Sequence, residues 1–161
     1  MGDPKKQRKK FSKPSHPWQK ERIELEKKLV AQYGLKRKQE IWKMNSILKN
    51  FLHRAKLIIG KKTSQSNLER EQMLGKIQSM GLLKKDSSIE DVLNLTLRDI
   101  MERRLQTILF RKNIAKTIVE ARQRITHKHV MVGGKKITSP SYLVLAREES
   151  NIRMIGEKAA Q

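Results

Sequence analysis

Residues 103–136 read RRLQTILFRKNIAKTIVEARQRITHKHVMVGGKK, and this stretch decides the fold. Leu105 and Ile108 continue an apolar face begun by Leu97 and Met101, while Ile118, Ala121 and Ile125 repeat at helical spacing further on. Residues 113–116 separate the two helices. Thr117 with Glu120 has the spacing of a capping box, in which the threonine oxygen satisfies an orphan amide at the start of the second helix. After His127 the period changes to alternation, with Val130 and Val132, then Gly133 and Gly134, then Ile137. Two glycines between short apolar runs predict a tight hairpin, because both central positions take positive φ without steric cost. Pro140 and Tyr142 lead into residues 143–145, which the same pattern predicts as a further strand.

The stretch is also densely charged. Arg103, Arg104, Arg111, Lys112, Lys116, Arg122, Arg124, Lys128, Lys135 and Lys136 stand against Glu120 alone. The apolar residues claim the inward faces, so these bases are expected to share the outside. Arginine offers a planar fork that grips phosphate oxygens from a fixed position, and lysine a mobile point charge. The expectation is an RNA-contacting surface rather than a merely solvated one. Alanine at Arg103, Arg104, Arg122 and Arg124 is then expected to weaken RNA binding and leave thermal unfolding nearly unchanged. His127 and His129 flank Lys128 but lack the further ligands a metal needs, and the chain has no cysteine, so no metal or disulfide is expected. The Gly-Gly pair is not followed by the Gly-Lys-Ser/Thr and helix of a phosphate-binding loop. No nucleophile has a nearby base and orienting acid, and no acidic cluster would hold magnesium; no enzyme and no cofactor are expected.

The whole chain carries a formal charge of +21 on 161 residues. Such a charge calls for a polyanion, and nucleic acid rewards each neutralised phosphate with counterion release. Charge alone leaves duplex DNA and an anionic membrane surface open as rivals. Glu21, Glu24 and Glu26 on the first predicted helix disfavour lying on lipid, and no apolar run is long enough to span a bilayer, so a cytoplasmic protein is expected. Aromatic residues make up 4%, too few for reading single strands by stacking. Recognition by shape and phosphate follows.

Residues 1–16 hold Lys5, Lys6, Arg8, Lys9, Lys10 and Lys13 and read as a basic RNA-binding arm, pinned by Phe11 and Trp18. Pro17 marks a first helix over about 17–33, with Ile23, Leu25, Leu29, Val30 and Tyr33 inward and Gly34 as its stop. Ile41, Met44, Leu48, Phe51, Ala55 and Ile58 step by three and four along a second, packed on the first as a hairpin rather than on a coiled-coil partner. Ser66 with Glu69 predicts the cap of a third helix bearing Met73, Ile77 and Met80. Ser88 with Asp91 and Thr96 with Asp99 start two shorter ones. The predicted divisions are the arm at 1–16, a helical domain at 17–102, an RNA-binding module at 103–150 and a tail at 151–161.

Several runs, in order, carry a family resemblance: Glu102 to Thr107, Arg111-Lys112, Ala115-Lys116-Thr117, Glu120 to Gln123, His127 to Val130 and Pro140-Ser141-Tyr142. Together they resemble small-subunit ribosomal protein four. Met1 to Lys6, His16-Pro17-Trp18, Tyr33-Gly34-Leu35 and Leu93 to Thr96 resemble its archaeal branch. The resemblance implies an α+β, mainly helical fold, with a helical part and an inserted αL-type module of two helices on a short antiparallel sheet. It implies a structural constituent of the small subunit that binds folded rRNA at a helix junction of the five-prime domain early in assembly. It further implies neighbouring ribosomal proteins, among them the protein-five type, as partners, with messenger RNA near the entry channel and a contribution to translational accuracy. By position it puts the ten bases above, with His129, on the RNA-facing module, Ser141 and Tyr142 closing the same surface. Gly133 stands where the family commonly has Asn, which preserves the turn and removes a side-chain amide. The cysteine zinc site of many bacterial relatives is missing.

Overall fold

Helix α2 (Lys38–Ile59) organises the N-terminal half, because every member of its predicted apolar stripe, Ile41, Met44, Leu48, Phe51, Ala55 and Ile58, is buried. The computed structural model describes residues 2, 11–61, 63–84 and 86–155. Packed against α2 are α1 (Lys20–Gln32), α3 (Ser64–Ser79), a 3-10 turn at Glu90–Asn94 and α4 (Leu97–Glu102). Their shared core takes in Tyr33, Leu35, Ile77, Val92, Ile100 and Met101.

A second core forms where α5 (Leu105–Arg111) and α6 (Ile118–Thr126) pack together over a small sheet. Leu105, Leu109, Ala121, Ile125, Val130 and Val144 are fully buried there. The sheet has the order β2-β1-β3, all antiparallel, with β1 (Val130–Val132) central, β2 (Lys135–Lys136) across the Gly133-Gly134 turn, and β3 (Ile152–Met154) on the other edge. This is the α+β, mainly helical architecture expected.

The structure departs from expectation at several places. Helix α1 begins at Lys20, not at Pro17, because Arg22 Nη2 donates to the carbonyls of His16 (3.1 Å) and Pro17 (2.8 Å) and holds them in a turn. On α1 it is Glu26 that is buried, while Leu25 is exposed. Trp18 is 89% exposed, whereas Phe11 meets the Trp42 ring at 5.9 Å. The cap of α3 is Thr63, whose side chain accepts from the Ser66 amide; Ser66 returns the bond to the Thr63 amide and is itself within the helix.

The apolar face from Leu97 to Ile108 is carried by two helices, not one. At the break Arg104 is extended, and the segment 142–144 takes its neighbours' backbone groups: Leu105 N–H donates to Tyr142 O (2.8 Å) and Val144 N–H to Arg103 O (3.0 Å). Residues 143–145 are consequently no strand; Leu143 makes a single bridge with Arg104. The third strand comes instead from Ile152–Met154, within the stretch read as tail.

Candidate nucleic-acid interface

The expected site residues separate into two populations with opposite orientations. Arg104 is 1% exposed, and its Nη2 donates to Glu40 Oε2 at 2.5 Å. Arg122 grips the same carboxylate, Nη2 to Oε1 at 2.9 Å and Nη1 to Oε2 at 3.2 Å. Gln106, also buried, turns its amide nitrogen to the carbonyls of Gly34 (3.1 Å) and Ile118 (3.0 Å). Glu40 stands in the first turn of α2, so this cluster fastens the helical part to α5 and α6. Burial works against the charge on Glu40, but hydrogen bonds and attraction from Arg122 and Arg104 outweigh it and hold the carboxyl below its usual range.

Arg103 and Arg124 also have protein partners. Arg103 Nη1 pairs with Glu149 (2.8 Å), Nη2 donates to Val144 O (3.0 Å), and the guanidinium lies against Gly81. Arg124 joins Glu120 (2.5 Å) to the Ile114 carbonyl (2.6 Å). Arg104, expected among the outward-facing bases, is instead enclosed and paired with a carboxylate from α2. All four of these arginines pair with carboxylates inside the fold. Tyr142 is likewise turned inward: its hydroxyl donates to Glu148 (2.9 Å), and burial, then that carboxylate, raises its pKa.

The second population faces out. Arg111, Lys112, Lys116, Lys128, His129, Lys135, Lys136 and Ser141 are exposed. Arg111 is paired with Glu102, and Lys112 Nζ donates to the Glu149 carbonyl. Lys128 has φ 65, placed there by the end of α6: Lys128 N–H bonds to Ile125 O and His129 N–H to Arg124 O. On the outward face of the sheet Met131 pairs with Lys136 on one side and Arg153 on the other, so the two cations flank it. Arg153 was missed in the sequence because β3 was unrecognised; once the strand is placed, its alternation with buried Ile152 exposes it.

Between 102 and 155 every carboxylate is already engaged: Glu102 by Arg111, Glu120 by Arg124 and the Lys116 amide, Glu148 by Tyr142, Glu149 by Arg103. Lys112, Lys116, Lys128, Lys135, Lys136, Arg147 and Arg153 have no ion-pair partner among the described residues. The result is a folded surface with uncompensated positive charge, suited to a polyanion. Of the arm, Lys13 is exposed, and Lys5, Lys6, Arg8, Lys9 and Lys10 lie outside the described residues. Among the described residues no group of three or more His, Asp or Glu side chains could hold a metal, and no helix is long and apolar enough to cross a membrane.

The S4 domain model matches residues 103–149. Small ribosomal subunit protein uS4 of Saccharolobus solfataricus is 48% identical over 153 residues, covering 94% of this chain and 84% of that protein. The protein of the same name from Saccharolobus islandicus (strain L.S.2.15 / Lassen #1) is 46% identical over the same shares. A module with its free cations outward, inside a similarity that runs through both halves of the chain, leaves one conclusion: the chain belongs to the uS4 family of small ribosomal subunit proteins.

Proposed function

We propose that this protein is a structural constituent of the small ribosomal subunit that binds folded small-subunit rRNA by phosphate and sugar contacts, selecting the shape of a junction rather than a base sequence. The observation that carries the reading is the charge accounting of the module: its carboxylates are already engaged, three by arginines and Glu148 by Tyr142, and its lysines are left facing solvent. Lys112, Lys116, Lys128, His129, Lys135 and Lys136, joined by Arg111, Arg153 and Ser141, are the proposed contacts; Lys13 and the rest of the arm extend them. Arg103, Arg104, Arg122 and Arg124 act by holding the surface in shape. Tyr142 does the same.

The finer address rests on the family: a helix junction in the five-prime domain, binding early in assembly, beside the protein-five type and near the messenger entry channel, with an effect on translational accuracy. The Glu40 cluster supports the use of both halves together, since it fixes the helical part against the module and lets one rigid body span several RNA helices.

Hydroxyl-radical footprinting of five-prime-domain rRNA with the full chain tests this. Protection is expected at a junction, on backbone positions of more than one helix, and is expected to fade when Lys112, Lys128, Lys135 and Lys136 are replaced by Ala. Protection confined to one single-stranded loop, or identical for that variant, would refute the proposal.

A further inference from the structure

A groove of 380 Å³ runs between α2 and α3, far in sequence from the cationic module. Phe51, Ile58 and Met73 form its floor, and Leu57, 49% exposed, stands on its edge. Its rim carries Arg54, Lys61 and Lys76 against one acid, Glu69. None of these three cations has an ion-pair partner among the described residues. An apolar floor inside a cationic rim is the complement of a helix with an apolar stripe and acidic flanks.

Other occupants match the groove less well. A second copy of the chain would bring a charge of +21 against these cations. The chain's own first ten residues are basic, and residues 156–161 offer one acid, one base and no large apolar side chain. RNA phosphates would satisfy the rim but desolvate against Leu57, which has nothing to offer a charged group. We propose that the groove seats an acidic amphipathic helix of another protein. The two-helix hairpin α2–α3 then acquires a third helix, with Leu57 and the floor residues anchoring the partner and the rim setting its orientation.

The test uses the full chain and two synthetic peptides of about four helical turns. One has leucines at every third and fourth position and glutamates on the flanks; the other has the same composition scrambled. By fluorescence anisotropy the amphipathic peptide is expected to bind about ten-fold more tightly than the scrambled one. Leu57→Lys separates docking from simple attraction, because it adds positive charge while removing the apolar anchor. It is expected to abolish that preference with thermal unfolding unchanged. Equal affinity for both peptides, or a preference that survives Leu57→Lys, overturns the proposal. So does a benzophenone placed at residue 57 that crosslinks to five-prime-domain rRNA in the complex, or to a second copy of the chain.

Discussion

Four helices close in the same way, with a left-handed residue after the last turn: Gly34 behind α1, Gly81 behind α3, Asn113 behind α5 and Lys128 behind α6. Glycine and asparagine adopt this conformation readily, whereas lysine is strained there by about 1 kcal/mol. The two hydrogen bonds that close α6 impose it, and the lysine placed there has no ion-pair partner among the described residues. Lys128→Gly is therefore expected to raise stability by about 1 kcal/mol in urea unfolding and to weaken rRNA binding, a split that a purely structural residue would not show. Gly34 is the opposite case. It sits at φ 56, and a Cβ there would lie 2.4 Å from Ile118 Cγ2. Gly34→Ala should cost about 2–4 kcal/mol, while Gly133→Asn, at φ 55 with open space around it, should stay within about 1 kcal/mol. Comparable losses at both positions would contradict this reading of the α1–α6 contact.

At the scale of elements, the Glu40 cluster carries the strongest constraint. Removing one partner of a buried ion pair typically costs about 3–5 kcal/mol, because the remaining charge is stranded. Glu40→Gln leaves both Arg104 and Arg122 without their counter-charge, so a loss of about 3 kcal/mol is expected. The sign of its pH dependence follows from the depressed carboxyl. With its folded value below its unfolded one, the stability Glu40 contributes is present above the ordinary carboxylate range and disappears as pH falls through the folded value. A melting temperature series on acidification should show the wild type falling more steeply than Glu40→Gln, which starts lower. Parallel curves would remove Glu40 from the account. Elements defined by local pattern were legible in the sequence: the α2 stripe, the Thr96 and Thr117 starts, the Gly-Gly hairpin. Elements defined by distant partners were not. Arg104 and Glu40 are 64 residues apart, and nothing near either announces the other. The break at Arg103 and Arg104, and the third strand at Ile152–Met154, depend in the same way on backbone partners supplied from elsewhere in the chain. For the same reason charge density marked the stretch that the S4 domain model matches but did not tell which of its arginines point inward.

For the whole molecule, we propose that binding and folding are divided between two sets of cations. Arg104 and Arg122, sharing Glu40, hold the two halves together, and the lysines of the module without ion-pair partners among the described residues are the proposed RNA contacts. The division is expressed in salt dependence, since each phosphate contact contributes close to one unit to the slope of log affinity against log salt. Engagement of about six to ten phosphates implies a loss on the order of 1,000-fold or more from low to moderate salt. The decisive measurement is that slope for five-prime-domain rRNA, determined for the wild type and for a variant with Lys112, Lys116, Lys128 and Lys135 all replaced by Ala. A steep wild-type slope, a reduction of about 3.6 units in the variant, and nearly unchanged unfolding are expected. An affinity that does not respond to salt, or a variant with the wild-type slope, would contradict this division.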